Sequence, residues 1–270
     1  MDLQLVGKRA LITGSSSGIG SAIARRLARE GASVAVHGRD AARAGEVAES
    51  IRSTGGQAVV VIGDLVRADE AVRVADNASR LLGGVVDVLV NNAGGGGGAG
   101  QSWEAANADD WADVYARNAL AIVRLAARLL PAMRAQRWGR VVNISSGAGE
   151  LPGSSAGAYA AAKAAVNNLT VSMSREVGRD GVTVNAVSPG PIRTPALERS
   201  FAAFAQQRGL HGTREEVERA VLDARGFGLA VPRVGEPEEI ADAVTFLCSP
   251  LAGFITGANL RVDGGLVPTV

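Results

Sequence analysis

At 270 residues, with 47% hydrophobic and 20% charged residues, the chain has the length and composition of one large α/β domain or two small ones in an ordinary globular protein. A formal net charge of +1 gives no electrostatic basis for a nucleic-acid or acidic-membrane partner, and the lone Cys248 cannot form an internal disulfide, which points to a reducing compartment. The start, Met1 to Arg9, lacks the basic-then-apolar layout of a signal peptide, and the most apolar stretch, Ala119 to Leu130, is broken by Arg124 and Arg128, so a cytoplasmic protein without a membrane span is expected.

The first strand is expected over Arg9–Thr13. It runs through Thr13-Gly14-Ser15-Ser16-Ser17-Gly18-Ile19-Gly20 into a helical pattern over Gly18–Arg29. Glycines there let the backbone turn tightly and approach a pyrophosphate, and the helix N-terminus offers unpaired N–H groups. The spacing is neither Gly-x-Gly-x-x-Gly nor a P-loop, since no Gly-Lys-Ser/Thr follows. The strand–turn–helix context favours dinucleotide binding over a plain Gly/Ser-rich turn. A second strand, Ser33–His37, ends in His37-Gly38-Arg39-Asp40. A carboxylate at this tip would bind the ribose 2′-hydroxyl of NAD, whereas the guanidinium of Arg39 suits the extra phosphate of NADP(H), which is the expected cofactor in preference to NAD(H). Asp40 either caps the next helix, Ala41–Ser53, or reaches the ribose and favours NAD. No basic residue lies within Ser15–Ser17, which argues the other way.

A third strand, Ala58–Ile62, leads to Asp64, placed to contact the adenine edge, and to a helix over Ala68–Leu82. The fourth strand, Val86–Val90, ends in Asn91-Asn92-Ala93-Gly94 and opens a run of five glycines, Gly94 to Gly98. A long helix is expected over Asp110–Gln136, then a strand at Val141–Ser145, a helix at Ala156–Gly178 and a strand at Thr183–Val187. About forty residues, 191–232, then interrupt the rhythm with helical patterns near Pro195–Arg208 and Thr213–Arg225. A segment of that length reads as a substrate lid, with a surface ornament or oligomer contact as the alternative. The helix Pro237–Leu247 and the strand Asn259–Val262 complete the chain. Strands apolar throughout, alternating strictly with helices, imply an α/β fold: one Rossmann-type, doubly wound parallel sheet of about seven strands with helices on both faces, in a single domain over 1–270. The two histidines, His37 and His211, are too few and too scattered for a metal site.

The chemistry concentrates at Tyr159 and Lys163, four residues apart, with Ser146 thirteen residues upstream of the tyrosine. The helical spacing puts phenol and ammonium on one face. An ammonium beside a phenol favours the phenolate, and a serine hydroxyl can hold the oxygen that gains or loses the proton. Tyr-x-x-x-Lys alone is weak evidence, equally compatible with an amphipathic helix.

Taken together, Thr13–Gly20, Asn91-Asn92-Ala93-Gly94, Asn118, Ser146, Tyr159 with Lys163, Pro189-Gly190, Gly235 to Glu239 and Val262-Asp263-Gly264-Gly265 resemble the short-chain dehydrogenase/reductase family over nearly the whole chain. The general look is that of bacterial 3-oxoacyl-(acyl carrier protein) reductases and their relatives. The resemblance implies that Tyr159 is the general acid in reduction and the base in oxidation. Lys163 then lowers the tyrosine pKa, helped by the charge of the oxidised nicotinamide, and bonds the nicotinamide ribose. Ser146 binds the substrate oxygen, and Asn118 holds a water that links Lys163 to solvent. Cofactor contacts are implied for Gly14, Ser16, Ser17, Gly18, Ile19 and Gly20, for Arg39, Asp64 and Leu65, and for Asn91, Ala93 and Gly94. Further along, Tyr159, Lys163, Pro189, Gly190, Ile192 and Thr194 are implied at the nicotinamide end.

The implied reaction is hydride transfer between NADP(H) and a ketone or secondary alcohol, such as a 3-oxoacyl thioester or polyketide-like ketone. A steroid, cyclic or sugar alcohol, or a non-catalytic dinucleotide sensor on the same fold, is the alternative. Leu151 is expected to touch substrate, and Phe201, Phe204, Leu210, Phe227 and Leu229 either line its pocket or pack the lid. An acyl carrier protein is a possible partner. Arg137 matches one arginine that such enzymes use for it, but the second position falls on Asp180. Relatives commonly form homotetramers through the two long helices.

Overall fold

The structure is a computed structural model that describes residues 1–96, 103–153 and 156–268; Gly97 and Gly98 of the glycine run lie outside them. Seven strands, β1 (Arg9–Ile12), β2 (Ser33–Gly38), β3 (Gln57–Ile62), β4 (Val88–Asn91), β5 (Gly139–Ile144), β6 (Val182–Pro189) and β7 (Asn259–Val262), form one sheet in the order β3-β2-β1-β4-β5-β6-β7. Every pairing is parallel, with Ala10 beside both Val34 and Val88 at the centre.

Side-chain alternation divides each strand between two cores. Ile12, Val36, Val90 and Val142 face one cluster, under α1 (Gly18–Arg29), α2 (Ala41–Arg52) and α9 (Pro237–Cys248). Leu11, Ala35, Leu89 and Val141 face the other, under α3 (Ala68–Leu82), α5 (Ala121–Ala135) and α6 (Gly157–Val177). Ile23, Leu27, Leu89 and Leu125 are fully buried, each such side chain contributing about 1.5–3 kcal/mol of burial free energy. With both faces covered, the strands need no polar alternation, which is why they read as apolar runs. Strand order reverses between β1 and β4, so the crevice that such sheets use for ligands opens at the carboxyl ends of these two strands.

The helix expected over Asp110–Gln136 is broken. α4 (Ala108–Tyr115) passes through a π-helical turn at Ala116–Leu120 before α5 begins. Such a turn frees backbone carbonyls from the regular ladder, and the Asn118 side chain satisfies one by donating from Nδ2 to the Val114 carbonyl at 2.8 Å.

Residues 191–232 form α7 (Pro195–Arg208) and α8 (Arg214–Ala224). Thr194 caps α7 by accepting from the Leu197 N–H at 3.2 Å, and Thr213 with Glu216 forms a capping box on α8. These helices carry a third, separate cluster. Phe201, Ala205, Val221, Leu222 and Val234 are its buried members, with Phe204, Leu210, Phe227 and Leu229 packed against them. The apolar side chains of this segment therefore hold its own helices together, and Leu197, Phe201 and Val217 also line a cavity of about 270 Å³ between them. Among the described residues, no helix is long and apolar enough to cross a membrane.

Candidate active site

A cleft of about 450 Å³ opens at the switch point. The turn residues Gly14, Ser16 and Ser17, the β2 tip with Arg39, the β3 tip with Asp64 and Leu65, and Ala93 and Gly94 after β4 line it. Gly14 has φ +62°, and a Cβ there would stand 2.9 Å from the Ala93 Cα, so only glycine lets the two loops meet. Gly18 is also left-handed, at φ +55°, and a Cβ on it would lie 3.2 Å from Cγ2 of Thr194, which brings the α7 cap onto the turn. Gly20, in the first turn of α1, is packed against Asn92. Ser17, the N-cap of α1, makes no side-chain cap bond, so the first N–H groups of that helix point out of the turn without a side-chain partner. Ile19 instead packs on the first core.

Two groups to which sequence reasoning gave no such role hold this turn. Asn92 donates from Nδ2 to the carbonyls of Thr13 (2.8 Å) and Gly14 (3.1 Å), while Thr13 Oγ1 accepts from the N–H groups of Asn92 and Ala93 at 2.9 Å each. From the other side His37, buried at the end of β2, receives the Gly14 N–H on Nδ1 at 3.1 Å, and its Nε2 lies 3.1 Å from the Gly63 carbonyl. Burial pushes the His37 imidazole down to about 4, so it is neutral near pH 7.

At the β2 tip Asp40 is a helix cap. Its Oδ1 accepts from the N–H groups of Ala42 (3.0 Å) and Arg43 (3.2 Å), and its Oδ2 takes the Arg43 guanidinium at 2.9 Å. Those bonds, led by the Arg43 N–H, hold its carboxyl below the usual range. Arg39, Arg43 and, from the π-helical turn, Arg117 line the cleft. Arg43 and Arg117 are further residues the sequence did not offer, because only the fold brings them to Arg39. The Asn91 side chain points away from the cleft into the sheet, donating to Asn143 Oδ1 at 2.8 Å.

The sheet and α6 then bring Ser146, Tyr159 and Lys163 together. Lys163 is 4% exposed and donates from Nζ to the Ile144 carbonyl at 2.8 Å, and its ammonium lies 5.5 Å from the Tyr159 ring centroid. Burial lowers the Lys163 pKa to about 8. Ser146 follows β5, accepts from the Ala148 N–H at 3.2 Å and is hydrogen-bonded to Tyr159. Its neighbour Ser145 is buried and donates to the Lys163 carbonyl at 3.2 Å, which fixes α6 against the strand. The expected lowering of the phenol is not what this geometry gives. Burial dominates and raises the Tyr159 pKa, with only the Ser146 bond opposing it.

Asn118 joins the two ends of the site. It is 1% exposed, its Oδ1 accepts from the Gly95 N–H at 3.1 Å and its Nδ2 donates to the Gly95 carbonyl at 3.1 Å. Beyond the catalytic group, Pro189 ends β6, and Gly190 and Ile192 line a small cavity with Asp263. A Cβ on Gly190 would collide with the Asp263 backbone. Leu151 is 47% exposed beside this group, and Leu266 and Val267 approach Gly147 next to Ser146. On the rim, Trp103 and Trp111 stack obliquely at 5.1 Å and flank Gly157, two residues before Tyr159. Among the described residues, no three His, Cys, Asp or Glu side chains cluster as metal ligands would.

The family model described as short chain dehydrogenase matches residues 8–204. Among curated relatives, the 3-oxoacyl-(acyl-carrier-protein) reductase of Vibrio cholerae is 36% identical over 265 residues, 98% of this chain and 99% of its own. Among solved structures, a 7α-hydroxysteroid dehydrogenase complexed with NADH and 7-oxo glycochenodeoxycholic acid superposes with TM-score 0.85 at 34% identity, covering 98% of this chain and 96% of that one. The L-sorbose reductase of Gluconobacter frateurii complexed with NADPH and L-sorbose superposes with TM-score 0.92 at 32% identity, covering 100% of both chains.

Proposed function

The chain belongs to the short-chain dehydrogenase family and is an oxidoreductase acting on secondary alcohols and ketones, and on that premise we propose that it is an NADP(H)-dependent reductase of a small-molecule ketone. The observation that carries this reading is the trio of Ser146, Tyr159 and Lys163: half-buried Ser146 bonded to half-buried Tyr159, with the buried Lys163 ammonium beside the ring. When bound, the nicotinamide supplies or accepts the hydride. The glycine cradle at Gly14, Gly18 and Gly20, the open first turn of α1 and the 450 Å³ cleft fit a dinucleotide.

In this reading Tyr159 donates a proton to the substrate oxygen in reduction and takes it back in oxidation, while Ser146 holds that oxygen. The phenol is protonated at neutral pH, the form that can donate to the substrate oxygen. Lys163, in the ammonium form below about pH 8, favours the phenolate as the proton leaves. Asn118, on its π-helical turn, keeps Gly95 and the loop after β4 beside Lys163.

For the cofactor, Asp40 is committed to its helix and to Arg43, and Arg39 has no such tie, so the tip of β2 is arranged for a phosphate rather than a hydroxyl. Arg117 supplies a third guanidinium in the same cleft, suited to lie on the adenine face. As to substrate, Arg137 is paired with Asp180 at 3.4 Å, and Arg134 reaches the same carboxylate at 2.6 Å. With Asp180 in place of a second arginine, this edge is less basic, which favours a free ketone over one carried on an acidic protein. A second reading, a dehydrogenase of a steroid, cyclic or sugar alcohol, is supported by the hydroxysteroid and sorbose enzymes that the chain resembles. Half-exposed Val123 and Val171 on α5 and α6 support a homotetramer packed through these helices, and a monomeric mass in solution would refute it. We read residues 1–270 as one domain, with 191–232 as its substrate lid.

The test is Tyr159→Phe. Turnover of every ketone in a panel of acyl thioesters, cyclic ketones, steroids and sugars is lost, while NADPH still binds. Retained turnover would remove Tyr159 from the chemistry.

A further inference from the structure

His37 lies in the wall of the cofactor cleft, yet nothing in the proton chemistry above uses it. Both ring nitrogens and both backbone groups are engaged. The Gly14 N–H reaches Nδ1 at 3.1 Å, and Nε2 lies 3.1 Å from the Gly63 carbonyl. The His37 N–H meets Ser15 Oγ at 2.9 Å, and the Ser15 N–H meets the His37 carbonyl at 2.8 Å. Ser15 Oγ in turn donates to the Ile12 carbonyl at 2.7 Å. One residue of β2 thus ties the turn after β1 to the end of β3. A backbone N–H can only donate and a carbonyl can only accept, so the ring has one consistent form: bare Nδ1 and a proton on Nε2. A second proton would set N–H against N–H at Gly14.

We propose that His37 is a positioning residue for the dinucleotide: its Nε2–H tautomer fixes the glycine turn at the height where the free N–H groups of the first turn of α1 meet the pyrophosphate. Gly14 is left-handed, at φ +62°, and its N–H points to the imidazole. Without that acceptor the N–H is left unpaired in a part-buried place, and the turn shifts to satisfy it. Asn92 grips the same turn by its carbonyls only and cannot replace a lost acceptor. The low pKa of the ring, a consequence of its burial, keeps the acceptor available at neutral pH.

The inference rests on the dinucleotide reading, so equilibrium binding of NADPH and NADH to the wild-type chain comes first; failure of both to bind would sink that reading together with this one. His37→Phe fills the space but offers no acceptor. His37→Asn restores an acceptor at the Nδ1 position without reaching Gly63. His37→Phe is expected to weaken both cofactors alike, by about ten-fold, the scale of one hydrogen bond left unmade. The cofactor KM rises by more than kcat falls, and His37→Asn recovers most of the affinity. Nitrogen-15 chemical shifts of the wild-type ring are expected to show a protonated Nε2 and a bare Nδ1. Wild-type affinity in His37→Phe, an asparagine variant no better than the phenylalanine one, or a ring protonated on Nδ1 would each overturn the proposal. The ring shifts decide it even if His37→Phe does not fold.

Discussion

Replacing Gly94 by alanine puts one methyl group where the site has no room. The new Cβ would lie 2.5 Å from Asn118 Oδ1, 3.4 Å from its Cγ and 3.5 Å from Lys163 Nζ. Ordinary contact starts at 3.4 Å, so something must move by about 0.9 Å. The Asn118 amide cannot swing aside freely, because bonds to Val114 and to both backbone groups of Gly95 hold it at 2.8–3.1 Å. Either the amide moves and at least one of these bonds is lost, at about 1 kcal/mol, or the loop moves with an overpacking cost of about 1–3 kcal/mol. We expect a loss of about 2 kcal/mol of stability, read as a thermal midpoint lower by about 4–8 °C for a chain of this size. A displacement near 1 Å beside the reacting groups costs about 100-fold in kcat. Gly45→Ala, on α2 with open space around its Cβ, is the control and leaves both quantities near wild type. A Gly94→Ala enzyme with wild-type midpoint and kcat within two-fold would refute the role given to the Asn118 contact.

The remaining predictions concern charge. Arg39→Ala is expected to weaken NADPH by about 10- to 100-fold, the scale of one charge-assisted phosphate contact, and to leave NADH unchanged; equal losses for both would refute the phosphate reading. Lys163→Met removes an ammonium whose pKa falls from 10.5 unfolded to about 8 folded. The unfolded state binds more protons between those values, so wild-type stability rises with pH across that window, and the burial penalty is fully present below about pH 8. At pH 7 the inactive methionine variant is therefore expected to be the more stable by up to about 3 kcal/mol, with the gap closing toward pH 10.5, which denaturant titrations at pH 7 and 10 would measure.

The inner strands were legible because they are covered on both faces. Val34–Val36 and Val88–Val90 read as strands since every position is buried, and the observed limits differ from the expected ones by only a residue or two. The spacing of Ser146, Tyr159 and Lys163 was equally legible, being set by one helix and the strand before it. The π-helical turn at Ala116–Leu120 was not, because one extra residue per turn leaves no mark on a short apolar pattern. Nor did sequence separate the two roles open to Asp40; only the bond from the Arg43 N–H does that. Arg117 and His37 were missed for another reason. Each becomes informative only when distant segments converge, on Arg39 in one case and on Gly14 and Gly63 in the other. For Phe201 and its neighbours, hydrophobicity could not tell a pocket wall from a private core.

That private core bears on how such an enzyme diversifies. Among the described residues, the cluster around Phe201 and Val221 shares no buried side chain with the two sheet cores, and Arg193, pairing with Glu218 at 2.7 Å and Glu236 at 2.8 Å, straps it to the body. Mutations inside it are paid for locally, without disturbing the strands that hold Ser146 or the helix that holds Tyr159. The α7–α8 excursion is in effect an exchangeable cassette. On the lid reading proposed above, a grafted excursion that keeps Arg193, Glu218 and Glu236 would be the natural unit for changing what is accepted there, and it is expected to leave the sheet undisturbed.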